Sequence, residues 1–170
     1  MRKDKRFSTR TVALCGLLTA MMLVLGFIES LIPVSFAIPG IKLGLSNSVL
    51  MFALYVLDAP VAFLLMLLKV VLSGLLFGGV SAMMYAMAGG ITSMIVMILF
   101  KHLKFSMPVV SMLGAVAHSA GQVLLAMVIL QTSQLLYYLA ILTLISLLTG
   151  AVTGIAAQAT VKHIQKLGKK

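Results

Sequence analysis

Residues 61–77, VAFLLMLLKVVLSGLLF, form an apolar run broken by one charge, Lys69, at its middle. With a helix rise of 1.5 Å per residue the run spans roughly 25 Å, close to the hydrocarbon thickness of a bilayer. A surface helix of a soluble domain keeps a polar stripe for water. This run has only Lys69 and Ser73 as polar side chains, so lipid or protein must surround nearly all of it. A lysine at the centre of such a helix costs roughly 2.5–3.5 kcal/mol on insertion scales. Lys69 is therefore expected to face protein or a water-filled cavity and to have a task there. The bland alternatives are a snorkelling or merely packed lysine, or a structural ion pair with Glu29.

The rest of the chain repeats the pattern. It is 62% hydrophobic and 9% charged, with a mean hydropathy of +1.19, which leaves too little polar surface to clothe a soluble globule. Apolar stretches between polar or Gly/Pro punctuation predict six helices, at 11–29, 47–57, 60–77, 81–100, 108–130 and 135–161. The expected fold is an all-α polytopic membrane bundle: one transmembrane domain, 11–161, between a basic segment, 1–10, and a basic tail, 162–170. The second helix is too short to span alone. Residues 38–47, IPGIKLGLSN, are expected to complete its crossing as a half-helix or re-entrant segment, a conformation tolerated where protein or water satisfies the backbone. The basic start and Ser35-Phe36-Ala37 loosely imitate a secretory signal, but the apolar region is longer than a signal core. The first helix is expected to stay in the mature chain. Thirteen methionines and no tryptophan suggest an adaptable interior, and the single cysteine, Cys15, is read as packing.

Charge provides an independent count of the spans. Arg2, Lys3, Lys5, Arg6 and Arg10 precede the first helix, Lys101 and Lys104 separate the fourth from the fifth, and Lys162, Lys166, Lys169 and Lys170 follow the sixth. Six spans put all three clusters on one side, which the positive-inside rule makes cytoplasmic. Both termini are thus expected in the cytoplasm of a multi-pass cell-membrane protein. The net charge of +10 reads as a topology signal with affinity for anionic lipid, not as nucleic-acid binding.

Counting rise from Pro60 and Pro108 puts Lys69 and His118 each roughly 13–15 Å into the membrane, near its midplane. Gly114, His118 and Gln122 fall on one face of the fifth helix, as Lys69 and Ser73 do on the third. Glu29 ends the first helix on the outer side, where Lys42 and Asn47 should also lie. These positions suggest a pocket open to the outside. Lys42 and Lys69 would attract an anion there, and His118, Gln122 and Asn47 would orient it by hydrogen bonds, with Glu29 and Ser73 completing the candidate set. For His118 a plain helix-to-helix hydrogen bond is the alternative.

Small residues recur four apart at Gly16/Ala20, Gly40/Gly44, Gly74/Gly78 and Ser146/Gly150/Gly154, a spacing that lets helices approach closely. Most read as internal packing, whereas Gly16 and Ala20 form a candidate docking face for a partner subunit. Gly89-Gly90 marks either a kink or a close approach. The acidic residues are Asp4, Glu29 and Asp58, too few for an aspartate cluster that could hold magnesium on a diphosphate. The chain also has no phosphate-binding loop, no paired-histidine metal motif and no convincing Ser/His/Asp set. No catalytic residue, metal or cofactor is expected, and a stand-alone enzyme is not.

Pro39-Gly40-Ile41-Lys42-Leu43-Gly44-Leu45-Ser46-Asn47, Leu68-Lys69-Val70-Val71, Ala88-Gly89-Gly90 and Ala117-His118-Ser119-Ala120-Gly121-Gln122 together resemble the bacterial Gx transporter family, also labelled heptaprenyl diphosphate synthase component I. The likeness covers nearly the whole chain. The family is similar to the S components of energy-coupling-factor transporters, six-helix proteins that bind a vitamin-like solute from outside and work with a separate transmembrane subunit and ATPases. The other label implies a non-catalytic partner of a polyprenyl diphosphate synthase in making quinone side chains. The resemblance implies an arginine where this chain has Lys69, which keeps the positive charge but not the bidentate geometry.

Overall fold

The computed structural model describes residues 9–31 and 44–167, the side chains of Arg10 and Leu167 excepted. They form α1 (Thr9–Ser30), α2 (Leu45–Val56), α3 (Ala59–Ser73), a π turn (Gly74–Gly78), α4 (Gly79–His102), α5 (Met107–Leu130) and α6 (Leu135–Leu167). The chain is an all-α membrane bundle with all six predicted helices. Pro60 and Pro108 sit in the first turns of α3 and α5, where a missing N–H costs nothing. The last helix runs past 161 to Leu167 and carries Lys162 and Lys166 as helical residues. The segment 38–43, expected to precede α2 as a half-crossing, lies outside the described residues.

Residues 59–102 are apolar and helical throughout, yet they make two passes. A Cβ on Gly74 would lie 2.6 Å from Met83 Cβ, and one on Gly90 2.6 Å from Met66 Sδ. These nested pairs are the register of an antiparallel hairpin. Its reversal falls at Gly79, whose φ of 74° and ψ of 172° belong to a region essentially reserved for glycine. Gly89-Gly90 marks a close approach, not a kink: α4 is unbroken there, and a Cβ on Gly89 would come 2.7 Å from His118 O of α5.

α4, α5 and α6 interlock backbone to backbone. A Cβ on Gly150 would stand 2.7 Å from Met112 Cα, and one on Gly154 2.7 Å from Pro108 Cα. Hydroxyls bridge the same seam, Ser119 to Ser146 at 2.7 Å and Ser111 to Thr153 at 3.1 Å. Such bonds contribute roughly 0.6 kcal/mol each on average in a membrane. α1, α2 and α3 meet through side chains instead, among them the buried Leu18, Met22, Leu50, Met51, Leu65 and Met66.

One end of the bundle gathers the described basic residues of two clusters. The antiparallel packing of α4, α5 and α6 brings Lys101 and Lys104 to the end where Lys162 and Lys166 lie. Lys101 Nζ donates to the Leu54 carbonyl in the last turn of α2 and lies 5.0 Å from the centre of the Tyr55 ring. A cation there complements the negative end of the helix and ties the C-terminal end of α2 to the basic end. At the opposite end of α2, Gly44 N–H donates to Glu29 of α1, so α1 runs antiparallel to α2 and also starts from the basic end.

Candidate ligand-binding site

The 12 residues of α2 make a helix of about 18 Å, so with its C-terminal end at the basic face, its N-terminal end stops inside the bundle. Gly44 precedes it with φ +76°, a left-handed conformation that glycine adopts without strain. The first turn of a helix carries N–H groups without helical partners and a partial positive charge. Glu29, buried at 3% exposure, sends its carboxylate there and accepts the Gly44 N–H at 2.6 Å.

Lys69 lies about 15 Å along α3 and His118 about 16 Å along α5, both counted from the basic end. They reach the same depth as the α2 N-terminus. Between them is a cavity of about 50 Å³ whose described lining comes from all six helices, including Glu29, Asn47, Lys69 and His118. A smaller one of about 10 Å³ lies beside it, and Ser46, Asn47, Lys69, Ser93 and His118 line both. These five residues are the wall between the two spaces.

The structure thus brings together four of the residues singled out from sequence: Glu29, Asn47, Lys69 and His118. Gln122 stands one turn along from His118 and is not among the lining residues. Its Nε2 is 3.1 Å from His118 Nε2, a hydrogen bond along α5 whose donor and acceptor follow the imidazole's tautomer. Gln122 positions the histidine. Ser73 turns its hydroxyl back to Val70 O at 3.2 Å and does not line the cavity. Lys42 lies outside the described residues. Gly16 and Ala20 are exposed, and a Cβ on Gly16 would meet nothing within 4 Å. Among the described residues nothing packs closely on that pair.

Hydroxyl residues supply what sequence reasoning missed. Ser93 comes from α4, Ser111 and Ser119 from α5, and Ser146, Thr149 and Thr153 from α6. The α6 set was detectable: Ser146, Thr149, Gly150 and Thr153 stand at i, i+3, i+4 and i+7, one face of a helix. The described lining carries the Lys69 ammonium, the Asn47 amide and the Ser46 and Ser93 hydroxyls against one described carboxylate, Glu29, whereas the α5 and α6 hydroxyls bond to one another or to backbone carbonyls. Such a surface suits an anionic ligand rich in acceptors.

The family model for heptaprenyl diphosphate synthase component I matches residues 18–160. The chain belongs to that family. The match runs from within α1 to within α6, so the whole cavity of this heptaprenyl diphosphate synthase component I family member falls inside it. No curated protein and no solved structure matches the chain.

Proposed function

We propose that this chain is a membrane-embedded capture subunit, similar to an S component. It takes a small anionic or vitamin-like solute from the extracellular side and passes it to a separate transmembrane subunit driven by ATPases. The observation that carries this reading is the convergence of Lys69, His118, Asn47 and the N-terminus of α2 on one cavity at mid-depth. A cavity of about 50 Å³ holds roughly four waters, whereas sites for drug-sized ligands run to roughly 300–1,000 Å³. The space matches the charged group of a ligand, and admitting the remainder requires helices to part. The methionine-rich seam of α1–α3 suits that better than the glycine-locked seams of α4–α6.

The family name favours a second reading, a non-catalytic membrane partner of a polyprenyl diphosphate synthase, in which the same cationic cavity would take a diphosphate. Mass spectrometry of small molecules that copurify with the protein separates the two. A water-soluble anionic solute is the expected finding. A polyprenyl diphosphate would transfer the site to the second reading, and protein without a ligand but tightly bound to another membrane subunit would make the chain structural.

A further inference from the structure

The seat for the ligand's anion is already occupied by one of the protein's own. Gly44 N–H, at the amino end of α2, donates to Glu29 Oε1 at 2.6 Å. Both residues line the cavity, as does Lys69. A carboxylate on a helix N-terminus makes a charge-assisted hydrogen bond and compensates the helix dipole, so Glu29 satisfies the same features that would recognise an incoming carboxylate or phosphate. A second observation marks the place as a site for more than Glu29. Ser46, in the first turn of α2, and Ser93, facing it from α4, are 4% and 6% exposed and line both cavities. Among the described residues their hydroxyls have no hydrogen-bond partner. Neither oxygen is sealed in protein, unlike Thr19 Oγ1 and the Tyr55 and Tyr138 hydroxyls: the two open onto the space beside an ammonium and a helix N-terminus.

We propose that Glu29 is an internal competitor: its carboxylate holds the α2 N-terminus until a carboxylate- or phosphate-bearing ligand displaces it and takes the Gly44 N–H together with Lys69, Ser46 and Ser93. This rests on the anion-capture reading and adds a mechanism to it. Glu29 lies in the last turn of α1, so displacement needs a side-chain rotation and no unwinding of the helix. It also couples occupancy to structure, because the bond that ligand breaks is one that joins α1 to α2.

Formate is the test probe, the smallest carboxylate and one that fits a cavity of about 50 Å³. It is titrated against the purified full chain in detergent, and thermal unfolding reports its apparent affinity for wild type, Glu29→Gln, Glu29→Ala and Lys69→Met. Competition for the seat gives an order: Glu29→Ala binds formate about tenfold more tightly than wild type, a difference of about 1.4 kcal/mol. Glu29→Gln falls between, because its amide oxygen still occupies the seat without the charge. Equal gains in Glu29→Gln and Glu29→Ala would reduce Glu29 to a repelling charge and overturn the proposal, as would weaker binding in both. Should Glu29→Ala fail to fold, Glu29→Ser replaces it in the same comparison. Saturable binding that Lys69→Met abolishes but Glu29 variants leave unchanged would keep the capture site and reject the competitor. No binding to any variant would reject both.

Discussion

Lys69 and His118 reach the cavity from different helices, and their contributions to an anion should depend on each other. Lys69→Met keeps the stem and removes the charge. It is expected to weaken formate binding by about 1 kcal/mol or more while leaving membrane insertion intact or improved. His118→Leu should weaken it too, and the double mutant should lose less than the sum, because groups sharing one ligand are coupled whereas distant independent sites add. Formate titrations of both single mutants and the double mutant decide this, and strict additivity would mean that the two do not share a ligand. Gln122 adds a finer test. Since it holds His118 Nε2, Gln122→Leu should weaken binding in the wild-type background and have no further effect once His118 is leucine. A loss that persists in His118→Leu protein would make Gln122 a direct contact.

At the scale of elements, the six helices were legible because hydropathy and Gly/Pro punctuation are local properties, and the shared depth of Lys69 and His118 followed from counting along two such helices. The rotation of each helix about its axis was not legible. Gly114, His118 and Gln122 do share a face of α5, but that face is divided: Gly114 meets Met97 and Gln122 meets Gly89. Of the three only His118 borders the cavity. Ser46 and Ser93 escaped notice because a lone serine in an apolar helix carries no period. The small-residue pairs looked alike in sequence and differ in the structure. Gly150→Ala would drive a Cβ to 2.7 Å from Met112 Cα and 3.0 Å from Ser111 O, backbone atoms that cannot step aside. Overpacking of this kind costs roughly 1–3 kcal/mol. Gly16→Ala meets nothing within 4 Å. Thermal unfolding followed by circular dichroism should show Gly150→Ala melting several degrees lower and Gly16→Ala unchanged or slightly higher. Equal melting temperatures would mean that the α5–α6 seam yields.

The whole molecule has two unlike halves, α4–α6 locked through glycines and α1–α3 joined by side chains, and α1 turns Gly16 and Ala20 outward. If that face receives the transporter subunit, Gly16→Leu with Ala20→Leu should reduce copurification with it and leave formate affinity unchanged. Undiminished copurification would remove the pair from the docking surface. The halves also agree on direction. Lys101 ties α2 to the end of the bundle that holds Lys104, Lys162 and Lys166, and α1 starts from that end. Basic residues are retained on the cytoplasmic side during insertion, and only charges within short loops or close to helix ends count strongly, a condition that these clusters meet. Both termini should therefore face the cytoplasm. A reporter that fluoresces only in the cytoplasm, fused to either terminus of the full chain, should be bright in both fusions. A dark C-terminal fusion that is full length and membrane-inserted would put the termini on opposite sides, and the cavity could then no longer be read as opening outward.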